Sequence, residues 1–451
     1  MLQFCSGGIM PGVSRAESVA SHDSFPKSVD TVIVGGGVIG CVTALYLAER
    51  GVSVAICEKG KIGAEASCRS AGLIEYLHAA PIKMELIARS IELWRGVGEI
   101  VEGDIGLIER GGLTLFENAS DAAAISSWLG TVNGLAGVDV QILTKEAVED
   151  LEPGVGNGWA GGCLQANALA VEPRLVSTAI ASAAAMKGAM LIQNCAVRRI
   201  DVHSGRISGV TTERGEIDAS NVIIAGGVWS PALLKPLGLN LPQLMVFTEG
   251  LSVGPVDGGP RIPVSSPAGL VRQEPDGGYM FGCSSGVVPV TPTVLRYLPK
   301  LISISKRLEQ DIRPAFNCQT FMHELRAHRP RSPAMRSLFE ENRIFQPEVS
   351  GRFSDKVYDD IRTRIPVFRD SVCRERYSGA LMTSIDNLGV VSPVQGIPGL
   401  FLGTGFLYGL TVSTAVGEAL ADLITGEKQK VDITPYRYER FVDGSALEFY
   451  P

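Results

Sequence analysis

The chain has 451 residues, of which 45% are hydrophobic and 20% are charged, and its formal net charge is −7. This length predicts two domains, and the composition is typical of a globular α/β protein. The negative charge, without any lysine- or arginine-rich run, argues against nucleic acid as a partner. The nine cysteines contain no C-x-x-C pair. They argue against a disulfide framework and against a metal site, and they favour a reduced, cytoplasmic protein.

The first 28 residues are rich in serine and glycine and precede the first predicted strand, so we predict a flexible N-terminal tail. This segment lacks a basic start followed by a long apolar core, which argues against a secretory signal. The longest uncharged stretch covers residues 388–417 and contains Pro393 and Pro398. Prolines and repeated glycines exclude a single membrane-spanning helix there, so no transmembrane segment is predicted.

Residues 30–58 have the pattern of a strand, a helix and a second strand. A short β-branched run leads into G-x-G-x-x-G, formed by Gly35, Gly37 and Gly40, and residues 38–50 then show helical spacing of apolar side chains. The glycines allow a tight turn, the approach of a pyrophosphate to backbone N–H groups, and close packing of the helix against the strand. The positive end of the helix attracts the phosphates. This pattern predicts dinucleotide binding.

Glu58 lies eighteen residues after Gly40, at the end of the second predicted strand. A carboxylate at this place accepts hydrogen bonds from ribose hydroxyls. An acid also disfavours a 2′-phosphate, so NADP is the least favoured dinucleotide. A glycine-rich turn without any ligand remains the alternative.

The chain after Glu58 continues with a loop of small residues at 61–74, which can lie flat beside a planar ring. Ser67 and Arg69 in this loop can reach phosphate oxygens. Further elements follow from periodicity and turn residues: helices at 81–102, 119–134, 145–151 and 173–188, strands at 189–192 and 196–202, and hairpins at 106–116 and at 207–212 with 216–218.

Two later segments complete the pattern. Residues 221–230 run from four apolar residues into Ala225 and Gly226, as in a buried strand whose end approaches a bulky group, although an ordinary core strand has the same pattern. Residues 399–424 contain a strand, a glycine turn and a helix that begins near Thr411. The N-terminus of such a helix stabilises negative charge on a reduced cofactor ring, which suits a flavin.

Together these motifs resemble the D-amino acid oxidase family of FAD-dependent oxidoreductases, which includes glycine oxidase, sarcosine oxidase and amino acid dehydrogenases. The resemblance runs from about Asp30 to Ile424 and keeps the motifs in the family's order. It implies an α/β fold, with a Rossmann-like FAD-binding domain of the glutathione reductase type and an inserted α+β substrate domain on a largely antiparallel sheet. The implied boundaries are 1–28 for the tail, 29–80, 166–242 and 373–451 for the FAD-binding domain, and 81–165 and 243–372 for the substrate-binding domain.

The resemblance also implies which residues surround the FAD, which is expected to be non-covalent because Gly379 stands where covalent members carry a cysteine. Gly35, Gly37, Val38, Ile39 and Gly40 would hold the pyrophosphate, and Glu58 the adenosine ribose. Lys59 is also expected to contact the cofactor. Ser67, Arg69, Ser70, Ala71 and Gly72 would line the flavin, and Val197 the adenine. Ala225, Gly226 and Trp229 would close the site, and Gly405, Tyr408, Gly409, Leu410 and Thr411 would meet the flavin ring.

The substrate contacts are harder to predict. Leu381 stands where relatives that oxidise free amino acids carry a carboxylate-binding arginine, so the usual ion pair is absent. Glu75, where relatives often carry arginine, is a candidate to pair with a second ammonium group of a substrate, or is solvated or paired within the chain. Arg272, Tyr279 and Tyr408 are further candidate substrate contacts. No catalytic triad is predicted, because the flavin performs the redox chemistry.

Three function classes follow. The first is oxidation of the C–N bond of an amine or amino acid (D-amino, N-alkyl or cyclic imino acid) to an imine by hydride transfer to FAD. The second is an FAD-dependent dehydrogenase of a 2-hydroxy acid or polyol, which needs a base such as histidine; none of the five histidines lies in a flavin motif. The third is an NAD-binding or non-catalytic Rossmann protein. Oxygen, a quinone and a redox protein all remain possible electron acceptors, and a homo-oligomer is possible.

Overall fold

The computed structural model describes residues 9–11, 15–135, 137–283, 285–299, 301, 312–327 and 335–450. The strands in these ranges are β1 (Ile9–Pro11), β2 (Ser28–Val34), β3 (Val54–Cys57), β4 (Leu73–Ile74), β5 (Gly112–Phe116), β6 (Val140–Thr144), β7 (Gly161–Gln165), β8 (Leu169–Ala170), β9 (Met190–Ile192), β10 (Val197–His203), β11 (Arg206–Thr212), β12 (Glu216–Ile224), β13 (Gln243–Val253), β14 (Val264–Ser266), β15 (Gly269–Gln273), β16 (Tyr279–Gly282), β17 (Gly286–Pro289), β18 (Ile312–Ala315), β19 (Phe345–Pro347), β20 (Cys373–Ser384), β21 (Val390–Pro393) and β22 (Leu400–Thr404).

The α-helices in the same ranges are α1 (Val38–Glu49), α2 (Pro81–Ile100), α3 (Ala119–Val132), α4 (Lys145–Leu151), α5 (Pro173–Met186), α6 (Ser230–Leu234), α7 (Pro292–Arg296), α8 (Cys318–Ala327), α9 (Leu338–Glu341), α10 (Arg352–Arg364) and α11 (Gly409–Thr425). In the described part of the chain, none of the helices combines the length and the apolar character needed to cross a bilayer.

The first sheet carries the predicted dinucleotide motif. Its strand order is β10-β11-β12-β2-β3-β9, and β22 lies beside the end of β12 with β21 at its other edge. Strands β12, β2, β3 and β9 run parallel, and β22 is parallel to β12. Val32 and Ile33 of β2 are fully buried because parallel strands are covered on both faces. The predicted βαβ unit is therefore confirmed.

Helix α1 covers one face of this sheet between α5 and α11. The contact between α1 and α11 is close because Gly417 has no side chain. A Cβ added to Gly417 would lie 2.6 Å from Val42 Cγ1 and 3.1 Å from the backbone nitrogen of Thr43. This packing holds the N-terminus of α1 and the N-terminus of α11 at the same edge of the sheet.

The second sheet has the order β18-β17-β13-β16-β15-β14-β5-β7-β6, and β20 pairs with β13 along its length. It is antiparallel except for the pairs β14–β5 and β17–β18, in agreement with the predicted largely antiparallel sheet. Leu251, Val253 and Phe281 on one face pack against Ile361 of α10 and against Phe368.

Three details differ from the sequence predictions. The hairpin expected at 106–116 is wrong, because β5 pairs with β7 and Ile108 bridges to Ala170. Strand β20 belongs to the second sheet although the predicted boundary places 373–384 in the FAD-binding domain. Residues 15–27 of the predicted tail are packed rather than loose: the backbone N–H of Glu17 donates to Arg174 O at 2.8 Å.

We predict that Gly417→Ala lowers the free energy of unfolding by about 1–3 kcal/mol, because the added methyl group forces α1 and α11 apart. Gly96→Ala is the matched control, since Gly96 also lies inside a helix but has nothing within 4 Å of its would-be Cβ. That control should stabilise the protein by about 0.5–1 kcal/mol through helix propensity. Urea unfolding followed by circular dichroism measures both values; equal effects would contradict the close helix contact.

Candidate cofactor and active site

A cleft with about 1180 Å³ of empty space, part of it open to solvent, lies at the carboxyl ends of the parallel strands of the first sheet. Val34, Cys57 and Thr404, which end β2, β3 and β22, all line it, and so does Ala225, directly after β12. Ligands of open parallel sheets bind at this edge, where strand ends and helix N-termini converge. We call this space the cofactor cleft.

The glycine turn at the start of α1 forms one end of the cofactor cleft. Gly35 has a φ of +113°, and a Cβ on it would lie 2.5 Å from Ala225 O. A Cβ on Gly40 would lie 2.1 Å from Gly35 O, so only glycine fits at either place. Helix α1 has no side-chain cap on Gly37, and Val38 N donates to Ser67 Oγ at 3.0 Å. This turn leaves backbone donors at a helix N-terminus beside the cleft, which fits a pyrophosphate.

Glu58 lies beside this turn. Its carboxylate accepts hydrogen bonds from Gly36 N at 2.8 Å and from Gly60 N at 2.7 Å. Burial raises the pKa of this carboxyl group, while nearby Lys59 and the two backbone donors act in the opposite direction. The acid is thus held at the cleft wall by backbone groups, in a position that fits ribose hydroxyls.

The other end of the cleft is formed by α11 and β20. Helix α11 begins after Tyr408 without a side-chain cap, and Gly409 and Leu410 line the cleft. An apolar wall is formed there by three residues of β20, Ala380, Leu381 and Met382. A helix N-terminus next to an apolar wall suits a planar ring that becomes negatively charged on reduction.

Most of the predicted cofactor residues meet at this cleft. Those that line it are Gly35, Gly37, Val38, Ile39, Glu58, Lys59, Ser67, Ser70, Val197, Ala225, Gly226, Trp229, Gly405, Gly409 and Leu410. Those that lie outside the lining are Gly40, Arg69, Ala71, Gly72, Tyr408 and Thr411. Gly40 and Thr411 lie directly behind it: Gly40 lets α1 approach β2, and Thr411 Oγ1 donates to Leu73 O at 3.3 Å.

Arg69 points away from the cleft. Its side chain is buried, and its Nη1 donates to Phe345 O at 3.1 Å. Burial lowers the pKa of this guanidinium group. In this structure, Arg69 therefore joins the small-residue loop to β19.

Arg272 and Tyr279 are both buried outside the cleft lining. Arg272 is 2% exposed; its Nη2 lies 3.1 Å from Glu172 Oε2, and its Nε donates to Ala71 O at 2.9 Å. It therefore supports the small-residue loop from behind. Tyr279 is 1% exposed and packs edge-on against Phe368 with ring centroids 4.9 Å apart.

Glu75 and Tyr408 are less buried than Arg272 and Tyr279. Glu75 is partly buried just after β4, next to Gly112 and Cys163. Within the described ranges its carboxylate has no hydrogen-bond or ion-pair partner, and burial raises its pKa to about 7. The side chain of Tyr408 is 51% exposed at the start of α11.

Glu65 and Phe339 are among the residues of the cleft lining that sequence reasoning missed. Glu65 lies inside the small-residue loop, but its partners lie far away in sequence: Trp229 Nε1 donates to it at 3.1 Å and Phe345 N at 2.8 Å. Phe339 comes from the second half of the chain, where no local motif marks it. In the described ranges, no group of three or more histidine, cysteine or acidic side chains is arranged to hold a metal ion.

The raised pKa of Glu75 predicts a pH-dependent stability. The unfolded chain releases this proton near pH 4.5 and the folded chain near pH 7, so the stability contributed by Glu75 is full below pH 4.5 and is lost as the pH rises to 7. Relative to Glu75→Gln, the wild type should lose at most about 3 kcal/mol over this window. Urea unfolding between pH 4.5 and 8 measures the difference, with Glu216→Gln as a control at an exposed acid. Parallel pH profiles for wild type and Glu75→Gln would contradict the pKa.

Comparison with known proteins agrees with this geometry. Residues 30–423 match the family model described as "DAO: FAD dependent oxidoreductase". Glycine oxidase of Pseudomonas putida is 25% identical over 422 residues, which cover 91% of this chain and 99% of that protein. Sarcosine oxidase subunit beta of Rhizobium meliloti is 33% identical over 267 residues, which cover 56% of this chain and 63% of that subunit.

Among solved structures, L-amino acid deaminase from Proteus myxofaciens in complex with anthranilate superposes with a TM-score of 0.91 at 30% identity, covering 97% of this chain and 99% of that one. Glycine oxidase from Geobacillus kaustophilus, at 23% identity and a TM-score of 0.72, shares the fold. The family model spans most of the sequence, and the cleft has a glycine turn at one end and a helix N-terminus beside an apolar wall at the other. The chain therefore belongs to the DAO family of FAD-dependent oxidoreductases.

Proposed function

We propose that this enzyme oxidises the C–N bond of an α-amino acid to an imine, which water then hydrolyses, with FAD as the hydride acceptor. The main support is the similarity to L-amino acid deaminase over 97% of the chain at 30% identity. Relatives named for glycine and sarcosine also act on compounds that carry an amine beside a carboxylate. An L-α-amino acid is therefore the first substrate to test.

The cofactor side of the proposal uses residues of the cleft lining. The backbone around Gly37 and Val38 would hold the pyrophosphate, and Glu58 the ribose. Bound FAD supplies the group that accepts the hydride. Gly409 and Leu410, at the N-terminus of α11, would stabilise the negative charge that forms on the ring.

The substrate side has no arginine at Leu381, which lines the apolar wall. Arg272 is paired with Glu172 and donates to Ala71 O, so we assign it to positioning the small-residue loop rather than to binding substrate. Tyr408, at the start of α11, is the better candidate to donate a hydrogen bond to a substrate carboxylate. Glu75, without a cation of its own, is a candidate to bind a second ammonium group on a basic substrate.

An anaerobic titration tests the proposed reaction. L-amino acids should bleach the oxidised-flavin absorption band, and the panel should include D-amino acids, N-methyl amino acids, diamines and 2-hydroxy acids. Bleaching by an amine class alone supports C–N oxidation and identifies the substrate group. Bleaching by 2-hydroxy acids alone would overturn C–N oxidation. Oxidation of a hydroxy acid needs a base, and none of the histidines in the described ranges lines the cleft to act as one. Re-oxidation with oxygen, a soluble quinone or a redox protein then identifies the electron acceptor.

Glu58→Ala tests the cofactor assignment. Hydrogen bonds to a charged acceptor contribute about 1.5–3 kcal/mol, so the Kd for FAD should rise about ten- to a hundredfold. Titration of the FAD-free protein, followed by quenching of FAD fluorescence, measures this constant. Glu216→Ala, at the exposed start of β12, is the control and should leave the Kd unchanged. Equal constants for the two variants would show that Glu58 does not contact the cofactor.

A further inference from the structure

A segment around α9 lies beside the cofactor cleft, near Glu58 and Val197. We call residues 336–345, which include α9, the flap. Phe339 of the flap lines the cleft and packs edge-on against Trp229, with ring centroids 5.7 Å apart. The flap also touches the chain beside Glu58, because a Cβ on Gly60 would lie 2.1 Å from Arg343 O.

The first link between the flap and the first sheet is an ion pair with two hydrogen bonds. Arg198 Nε lies 2.8 Å from Glu340 Oε1, and Arg198 Nη2 lies 2.9 Å from Glu340 Oε2. The two side chains are 19% and 6% exposed. Ser337 N also donates to Glu340 at 2.9 Å, and the pairing with Arg198 lowers the pKa of Glu340 to about 2. Arg198 directly follows Val197, the residue expected at the adenine.

The second link is the ion pair between Arg343 and Glu213, which also has two hydrogen bonds. Arg343 Nη1 donates in addition to Lys59 O at 2.7 Å. Glu213 Oε1 accepts from Ala196 N at 2.7 Å. This pair therefore connects the flap to the residues that directly follow Glu58 and precede Val197.

The third link is made by Lys59 and Glu65, which are ion-paired with each other. Lys59 Nζ donates to Asn342 O at 2.7 Å and to Arg343 O at 3.0 Å. Glu65 accepts from Phe345 N at 2.8 Å. All three links thus end on residues next to the expected adenosine contacts.

We propose that the flap is an adenosine-side clamp on FAD, and that the ion pairs Arg198–Glu340 and Arg343–Glu213 are positioning interactions that hold it closed. FAD then leaves only after these pairs open. The inference rests on FAD binding in the cofactor cleft as proposed above, but not on the identity of the substrate. Mostly buried ion pairs with two hydrogen bonds suit this role, because removing one partner leaves an unpaired charge behind.

The rate of FAD release from the holoenzyme tests the clamp. Release is followed by the rise in flavin fluorescence after dilution. Arg198→Gln and Glu213→Gln should each raise the rate on the order of tenfold or more. Arg199→Gln is the matched control: Arg199 is the neighbouring residue on β10, is 48% exposed, and pairs with Asp201 of its own strand. The rate for this control should equal that of the wild type.

Salt dependence separates a clamp from a general loss of stability. Ions screen the partly exposed pairs, so the wild-type release rate should rise with NaCl concentration, and the double variant Arg198→Gln/Glu213→Gln should lose much of this dependence. Arg198→Lys, which keeps the charge, should restore part of the slow release.

Three results would overturn the clamp: wild-type release rates in both Arg198→Gln and Glu213→Gln, an equal increase in Arg199→Gln, or an unchanged salt dependence in the double variant. A failed substrate panel with the expected release rates would overturn the proposed reaction and leave the clamp standing.

Discussion

The close approach of three strand ends holds this structure together. Gly35 N donates to Cys57 O at 3.0 Å, and Ala225 N donates to Val34 O at 3.0 Å, so the ends of β2, β3 and β12 are fixed against one another. Only a residue without a side chain fits between them at Gly35. The direction of α1, the position of Glu58 and the shape of the cofactor cleft all follow from this arrangement.

Parts of the second sheet and the flap form part of the cleft wall. Strand β20 supplies the apolar wall at the flavin end, and the flap supplies Phe339 at the adenosine end. Residues 15–27 add a contact from the N-terminal side, where Arg15 lies over the ring of Tyr377 with its guanidinium carbon 3.6 Å from the centroid. Residues far from the glycine turn in sequence thus form part of the wall at both ends of the cleft.

The sequence predicted the parts of the fold that depend on local chemistry. The turn at Gly35–Gly40, helices α1 to α5 and α11, and the β11–β12 hairpin follow from periodicity and glycine placement within short stretches. The pairing of β5 with β7 could not be predicted in this way. The two strands are separated by other elements, including α3 and β6, so no local pattern indicates that they pair. The pairing of β20 with β13 was not predicted for a similar reason, since the two strands lie more than a hundred residues apart and share no local signal.

The candidate site shows the same division. Glu58 and the glycines could be named because their spacing within one short stretch is typical of a dinucleotide-binding turn. The ion pair between Arg272 and Glu172 could not be predicted, because the two residues are 100 positions apart. Arg198 and Glu340 are likewise 142 positions apart. From sequence alone, a charged side chain can be assigned to the substrate when it in fact pairs with another residue of the same chain.

The packing of α1 against α11 also has a consequence for how the protein is made. Helix α1 leaves the ribosome early, but its neighbour α11 and strand β22 come only after residue 399. Domains fold as units during synthesis, and contacts between distant segments form slowly. The FAD-binding domain therefore cannot close until translation has passed α11. Until then, one face of helix α1 in the βαβ unit stays uncovered.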